Sequence, residues 1–437
     1  MNNTMKTSDI LGLGFMTFAF FLGAGNIIFP PMSGFLAGES MGWAMCGFLV
    51  TGVGLPLLTI LAVARAGGGL LTMTRLLPAG VGTAMAIAAY LIIGPAFATP
   101  RTGLVAYEMG FKPFLGDLAS QSSQSLFTLV YFALTIALSL NQGRLLDAIG
   151  KVLTPLLVIL LAVLAVGVVL HPQGTVPPVV GDYLTHPGVK GLLEGYNTMD
   201  TFGALMFGML IIDVLRSRGV ADSRLQTRYL ARAGLIAALG LVLVYVSLFY
   251  LGATAGGLVT NPANGGVIVS TYVASLFGPA GQAVLAGIVS LACLTTAVGL
   301  TSACAEFFNT LWPRLSYRLL VVVMGVICAL VANVGLASLI SLSIPVLVAI
   351  YPVAIALVAL TFLRPLYADP QRAFRVVLGV SLLFGVLDGM KQAGVNLHQL
   401  DWMPLFTLGL AWLLPTVAAM LLMLAWPGER PTVVSEA

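Results

Sequence analysis

The stretch FFLGAGNIIFPP, Phe20 to Pro31, lies inside an apolar run that extends from about residue 8 to residue 37. Gly23 and Gly25 bracket Ala24, Asn26 follows, and Pro30 and Pro31 close the segment. Each glycine lowers helix propensity by about 1 kcal/mol relative to alanine, and proline removes a backbone donor. A helix is expected to open here. A second segment with the same character, EGYNTMDTFG, spans Glu194 to Gly203 and places Gly195, Asn197, Thr198 and an ionisable Asp200 in otherwise apolar sequence.

Outward from these two segments the chain is apolar almost throughout. Of its 437 residues 59% are hydrophobic and only 8% are charged, whereas a soluble domain carries roughly a quarter charged residues. Apolar runs of bilayer-spanning length recur from end to end. They fall near 8 to 37, 41 to 65, 80 to 107, 124 to 140, 150 to 170, 190 to 216, 225 to 252, 279 to 309, 316 to 333, 338 to 363, 373 to 390 and 404 to 425. The expected fold is therefore an all-α integral membrane protein of twelve transmembrane helices forming one polytopic domain. The polar start MNNTMKTSD leads into the first apolar run with no A-x-A-like cleavage site, so that run reads as a retained span.

Charge sets the orientation. Lys6, Arg65, Arg75, Arg144, Lys151, Arg216, Arg218, Arg224, Arg228, Arg232, Arg314, Arg318, Arg364, Arg372, Arg375 and Arg430 fall on the side of the termini, sixteen of the twenty basic residues. Arg101, Lys112, Lys190 and Lys391 fall on the other. The bias puts both termini in the cytoplasm, and the dense run between Arg216 and Arg232 is suited to contact with anionic lipid head groups. Nucleic acid is not implied.

The two interrupted segments open the first and second blocks of five spans, 8–170 and 190–363, with 373–425 left over as two additional helices. This is the layout of an inverted five-helix repeat whose discontinuous helices meet near the bilayer midplane. Irregular backbone is tolerated at that depth only where it is buried or lines a cavity, so a solvated cavity is expected near Gly23 to Asn26. An intramembrane acid such as Asp200 is a functional candidate by default. In the eighth span Thr295 and Thr296 precede Thr301 and Ser302, and hydroxyls beside the carbonyls of an opened helix are hard oxygen donors suited to a small cation. Cys46, Cys293, Cys304 and Cys328 lie in apolar segments and read as packing residues, not disulfides. His171, His186 and His398 are scattered among loops, which argues against a histidine metal site. Loops this short and this poor in polar clusters also argue against a membrane-embedded enzyme or sensor.

With FFLGAGNIIFPP, EGYNTMD and the twelve-span layout, the whole chain resembles the BrnQ-type branched-chain amino acid:cation symporters, which look like a branch of the LeuT-type group. The resemblance implies a secondary transporter of leucine, isoleucine and valine, not an enzyme, in the bacterial inner membrane, with no cofactor and with sodium as coupling ion. It implies substrate contacts at Gly23, Ala24, Gly25 and Asn26 in the first break and at Asn197, Thr198, Met199 and Asp200 in the second. The segment LACLTT is similar to the eighth-helix sodium pattern and implies the carbonyls of Ala19, Leu22 and Ala292 with the hydroxyls of Thr295 and Thr296. Tyr90, Ile93, Phe202, Phe207 and Leu300 are the candidates for an apolar wall around the substrate side chain. The alternatives are a proton-coupled symporter using Asp200 and a carrier of another small zwitterion.

Overall fold

A computed structural model of the chain describes residues 5–140, 154–220 and 222–426. Arg144, Lys151, Arg430 and the first residues of the span expected at 150 to 170 lie outside the described residues. Among the described residues secondary structure is helical, with only isolated β-bridges such as Thr175 with Gly256. Among the described residues eight helices are long and apolar enough to cross a membrane, and nine if the bent pair described below counts as one span. These include continuous runs of 43 residues from Ala24 to Ala66 and 36 residues from Ala79 to Phe114, while Thr7–Phe21, Leu161–Leu170 and Leu413–Ala425 are apolar but shorter.

The chain separates into two compact units, one of Met1–Ala64 with Ala88–Ser343 and one of Arg65–Ile87 with Ile344–Ala437. In the first, α1 (Thr7–Phe21) and α2 (Ala24–Ala37) are consecutive helices separated by Leu22 and Gly23. Then come α3 (Met41–Leu49) and α4 (Leu55–Ala66); the single turn α5 (Leu70–Met73) and most of α6 (Ala79–Leu91) belong to the second unit, and α7 (Ala98–Val105), α8 (Gln121–Ser139) and α9 (Thr154–Leu170) to the first. The helices α10 (Pro187–Tyr196) and α11 (Asp200–Ser217) are bent by 41° at their junction. They lead to α12 (Ser223–Ala253), α13 (Gly265–Leu311) and α14 (Tyr317–Val331), and then to α15 (Leu336–Leu363), which belongs to the second unit from Ile344 onward.

Glycines hold the half-helices at backbone distance. A methyl group placed on Gly34 of α2 would run into the Phe249 carbonyl of α12, and one on Gly252 into the Pro31 carbonyl. On the other half-helix, a methyl on Gly191 of α10 would strike the Ala44 carbonyl of α3, and one on Gly47 of α3 would strike that of Gly188. In lipid, where apolar surface gains nothing by leaving its solvent, close approach of this kind is the main source of helix association. Each half-helix thus has a partner helix fitted to its backbone.

Two expectations are corrected. The segment before Pro279, expected as a connection, is helical from Gly265: Asn264 caps α13 through a side-chain bond from Val267 N–H, and the helix bends at Gly278, φ +63°. In the second unit, α16 (Pro370–Gln392) is followed by turns, and α17 begins only at Leu413 although its apolar run starts near 404. The Lys391 ammonium donates to the carbonyls of Phe406 and Thr407 at 2.9 and 3.1 Å. The buried Asp388 carboxylate accepts from Trp412 N–H at 3.4 Å, so two charges of α16 occupy backbone groups that a helix would have paired internally.

The backbone contacts make a stability prediction. Gly34→Val is expected to cost about 1 to 3 kcal/mol by overpacking against α12, lowering the unfolding midpoint measured in detergent. Gly42→Ala, where an added methyl meets nothing within 4 Å, is expected to leave that midpoint unchanged or raise it.

Candidate functional site

The break between α1 and α2 follows from its residues. Helix α1 ends at Phe21, Leu22 leaves the helical region (ψ 81°) and Gly23 is extended, φ −110° and ψ −167°. Asn26 then folds its side chain back to accept from Gly23 N–H at 3.0 Å, capping α2 from within. The second break turns on Met199, a non-glycine residue held in the left-handed region at φ +63°, a conformation that costs about 1 to 3 kcal/mol and persists only where its surroundings impose it. Thr198 Oγ1 donates to the Gly195 carbonyl at 2.9 Å, and the Asn197 side chain donates to Glu194 at 2.9 Å.

One carboxylate joins the two breaks. Asp200, 4% exposed, accepts at Oδ2 from Asn26 Nδ2 at 2.6 Å and from the Tyr245 hydroxyl of α12 at 2.8 Å. Asn26 Nδ2 also contacts Tyr245 Oη, closing a triangle across α2, α11 and α12. Hydrogen bonds to a charged group are worth about 1.5 to 3 kcal/mol each, which is what a carboxylate enclosed by apolar helices requires. Tyr245 carries no local sequence signal: it is one of three tyrosines in a 31-residue helix.

Arg101 is the largest correction. Charge segregation alone places it with the residues of the outer face, yet it lies within α7, 2% exposed, against the first break. A methyl group on Gly25 would sit 2.9 Å from Arg101 Nη2, 3.1 Å from Thr198 Cα and 3.2 Å from the Asn197 carbonyl oxygen. The guanidinium also lies over the Phe29 ring, 5.3 Å from its centroid. The residues that carry it there are Gly94 and Pro95, where a π-helical stretch (Ile92–Ala96) departs from helical geometry between α6 and α7. Its position inside the run 80 to 107 is the signal that marks it, since charges buried in a span are functional candidates.

These elements line a nearly closed space of about 30 Å³, well below the roughly 300 to 1,000 Å³ typical of open ligand sites. Gly23, Ala24, Gly25, Asn26, Thr198, Met199 and Asp200 line it, with Arg101 and Thr102. Ile93, Phe207 and Leu300 supply apolar wall, and Phe207 is itself stacked on Phe20 at 5.0 Å. Tyr90 and Phe202 do not line it: Tyr90 is stacked on Phe307 at 3.9 Å, and Phe202 is buried elsewhere in α11. Asn197 does not line it either: its side chain is turned to Glu194, and its carbonyl oxygen packs against Gly25.

Beside this space α13 brings oxygen atoms to the first break. Thr296 Oγ1 lies 3.3 Å from the Leu22 carbonyl and 3.1 Å from that of Ala292, and Thr295 Oγ1 lies 2.8 Å from the Ala292 carbonyl. Two carbonyls and two hydroxyls therefore converge, a neutral set of hard donors. Ala19 is buried one turn earlier in α1, and neither threonine hydroxyl donates to its carbonyl.

Residues 6–429 match the family model described as branched-chain amino acid transport protein. The chain belongs to that family. It is 50% identical over 421 residues to the branched-chain amino acid transport system 2 carrier protein of Pseudomonas aeruginosa, with 96% of each chain covered. It is 46% identical to the branched-chain amino acid permease BrnQ of Escherichia coli, covering 98% of this chain and 97% of that one. It is 39% identical to the permease BraB of Bacillus subtilis, covering 95% of both. Family membership makes the chain a membrane transporter, not an enzyme. Among solved structures it is similar to Mhp1, a nucleobase-cation-symport-1 family transporter, with TM-score 0.64, 16% identity and 95% of this chain and 91% of that one covered. It is also similar to MhsT, solved in complex with L-phenylalanine, with TM-score 0.60, 16% identity and 95% and 98% covered. The fold is thus that of the LeuT-type transporters.

The triangle can be tested without transport. Tyr245→Phe keeps the ring against Phe48, 5.1 Å away, and removes one donor from Asp200. It is expected to cost about 1 to 3 kcal/mol, read as a lower unfolding midpoint. Combined with Asn26→Ala, the loss should differ from the sum of the single losses by at least about 0.5 kcal/mol. Strict additivity would mean that the three side chains do not act as a unit.

Proposed function

We propose that this chain imports leucine, isoleucine and valine together with sodium across a bacterial inner membrane by alternating access, with both termini in the cytoplasm. The observation that carries the proposal is the meeting of two opened helices around an apolar-walled space, with the carbonyl of Leu22 shared between that space's first break and the oxygen cluster of α13.

A zwitterion has two charges, and the site has a counterpart for each. The carboxylate is taken at the start of α2, where the first N–H groups have no intrahelical partner and the dipole favours an anion, with the Arg101 guanidinium beside Gly25. The ammonium faces the carbonyl end of α10 and the Asp200 carboxylate. The aliphatic side chain lies against Ile93, Phe207 and Leu300. One methylene in such a wall discriminates by about 1 to 3 kcal/mol, so the three branched substrates are expected to be carried with modest preferences.

Sodium is assigned to the Leu22 and Ala292 carbonyls and the Thr295 and Thr296 hydroxyls. The coupling has a physical basis in Leu22: an ion bound there orders the same peptide segment that receives the carboxylate, so each ligand lowers the ordering cost of the other, and the effect is reciprocal. One charge moving through about 100 mV supplies about 2.3 kcal/mol, which corresponds to roughly 50-fold accumulation before any sodium gradient is counted.

Uptake of radiolabelled leucine into proteoliposomes, with and without an inward sodium gradient, tests the proposal. Accumulation is expected only with sodium, and equal accumulation in its absence overturns the coupling. Thr296→Val is expected to raise the sodium concentration for half-maximal uptake about tenfold or more, the loss of one ligand contact costing about 1.4 kcal/mol, while the order of preference among aliphatic substrates stays the same. Arg101→Gln is expected to weaken substrate affinity by a larger factor, because charge-assisted bonds to a carboxylate are the stronger kind. The buried carboxylate of Asp200 supports a second reading, proton coupling. Uptake driven by a pH step in sodium-free buffer, abolished by Asp200→Asn, would establish it in place of the first.

A further inference from the structure

The second unit contains a larger cavity, about 840 Å³. It is formed where α4 and α15 end, where α16 begins and where α17 finishes. Arg65, Arg75 and Arg364 stand around it, and Tyr367, Phe374 and Trp426 form much of its wall. No aspartate or glutamate lines it, and among the described residues no carboxylate lies within ion-pair distance of any of the three arginines. Three positive charges therefore face one hollow without a protein counterion.

Two further features bear on the occupant. Tyr367 is 5% exposed, and its hydroxyl has no hydrogen-bond partner among the described residues. A buried, unmatched hydroxyl costs about 1 to 3 kcal/mol and is most simply explained by a ligand that supplies its partner. Burial pushes the pKa of this hydroxyl up, so it remains a neutral donor. Much of the remaining wall is apolar and aromatic, with Leu366, Phe374, Leu424 and Trp426, and Trp426 also lies beneath the Arg372 guanidinium at 4.4 Å. The cavity also sits at the ends of apolar helices, the level at which lipid head groups meet water and at which tryptophan and arginine gather.

We propose that this cavity binds the phosphate of an anionic glycerophospholipid, the guanidiniums of Arg65, Arg75 and Arg364 and the Tyr367 hydroxyl holding the phosphate while Phe374 and Trp426 receive the glycerol and upper acyl chain. A phosphodiester offers two unesterified, multiply accepting oxygens that the planar guanidinium fork can bind in pairs. Basic pockets between transmembrane helices are the recognised form of head-group site for such lipids. A free phosphate ion would satisfy the arginines but leave the aromatic wall without a function.

The purified protein in neutral detergent, titrated with cardiolipin, phosphatidylglycerol, phosphatidylcholine or inorganic phosphate, tests this by thermal unfolding and by native mass spectrometry of bound lipid. Cardiolipin and phosphatidylglycerol are expected to raise the unfolding midpoint and to be retained in preference to phosphatidylcholine. The combined variant Arg65→Gln, Arg75→Gln, Arg364→Gln is expected to weaken that preference by about fivefold or more, with the lipid-free midpoint unchanged. Should that variant fail to fold, Arg75→Gln and Tyr367→Phe separately are each expected to lower the retention of anionic lipid. Equal stabilisation by phosphatidylcholine overturns the proposal, as does retention of the anionic preference in the variants. Inorganic phosphate reproducing the whole effect would assign the cavity to a free anion and overturn the lipid reading.

Discussion

Hydrocarbon offers no partner to a peptide group, and this constraint governs every irregular feature of the chain. Where α1 gives way to α2, and α10 to α11, the N–H and C=O groups released from the helices must be matched by protein or by ligand. Asn26 matches one, capping Gly23 with its carbonyl oxygen while its amide reaches Asp200. Asp200 in turn is matched by Tyr245. The triangle is therefore at once the structural support of two opened helices and the polar floor of the space between them.

The same constraint acts in the second unit by other means. The residues before α17 do not form a helix, and Lys391 and Asp388 of α16 take up part of the resulting deficit. Charges that look like misplaced polarity in an apolar sequence are here the partners of backbone that has left its helix. Gly278 and Met199 mark the positive-φ joints at which the chain changes direction inside its helical frame.

Much of this was legible in the residues themselves. Gly23, Gly25 and the proline pair announced a break because their effect is local, and Asp200 stood out because an acid in a span is rarely idle. Thr296 could be named because a hydroxyl at that place meets an opened carbonyl. Tyr245 could not, since nothing near it in sequence reveals that a residue 219 positions from Asn26 completes the same network. Arg101 was visible as a charge, but a rule that counts charges by face treats a buried arginine and a loop arginine alike. Tyr90 shows the converse: an aromatic residue at a plausible depth stacks on Phe307 of α13 and is not among the residues lining the space.

The glycine contacts of α2 with α12 and of α10 with α3 carry a mechanical consequence. Where backbone touches backbone there is no layer of rotatable side chains to absorb sliding, so each pair is a stiff composite strut. Displacement is then confined to the seams where such struts face neighbours through longer side chains, and to the short peptides at Leu22–Gly23 and Asn197–Met199. The peptides at the proposed ligand site are thus also compliant ones, and a ligand bound there would act directly on joints between rigid members.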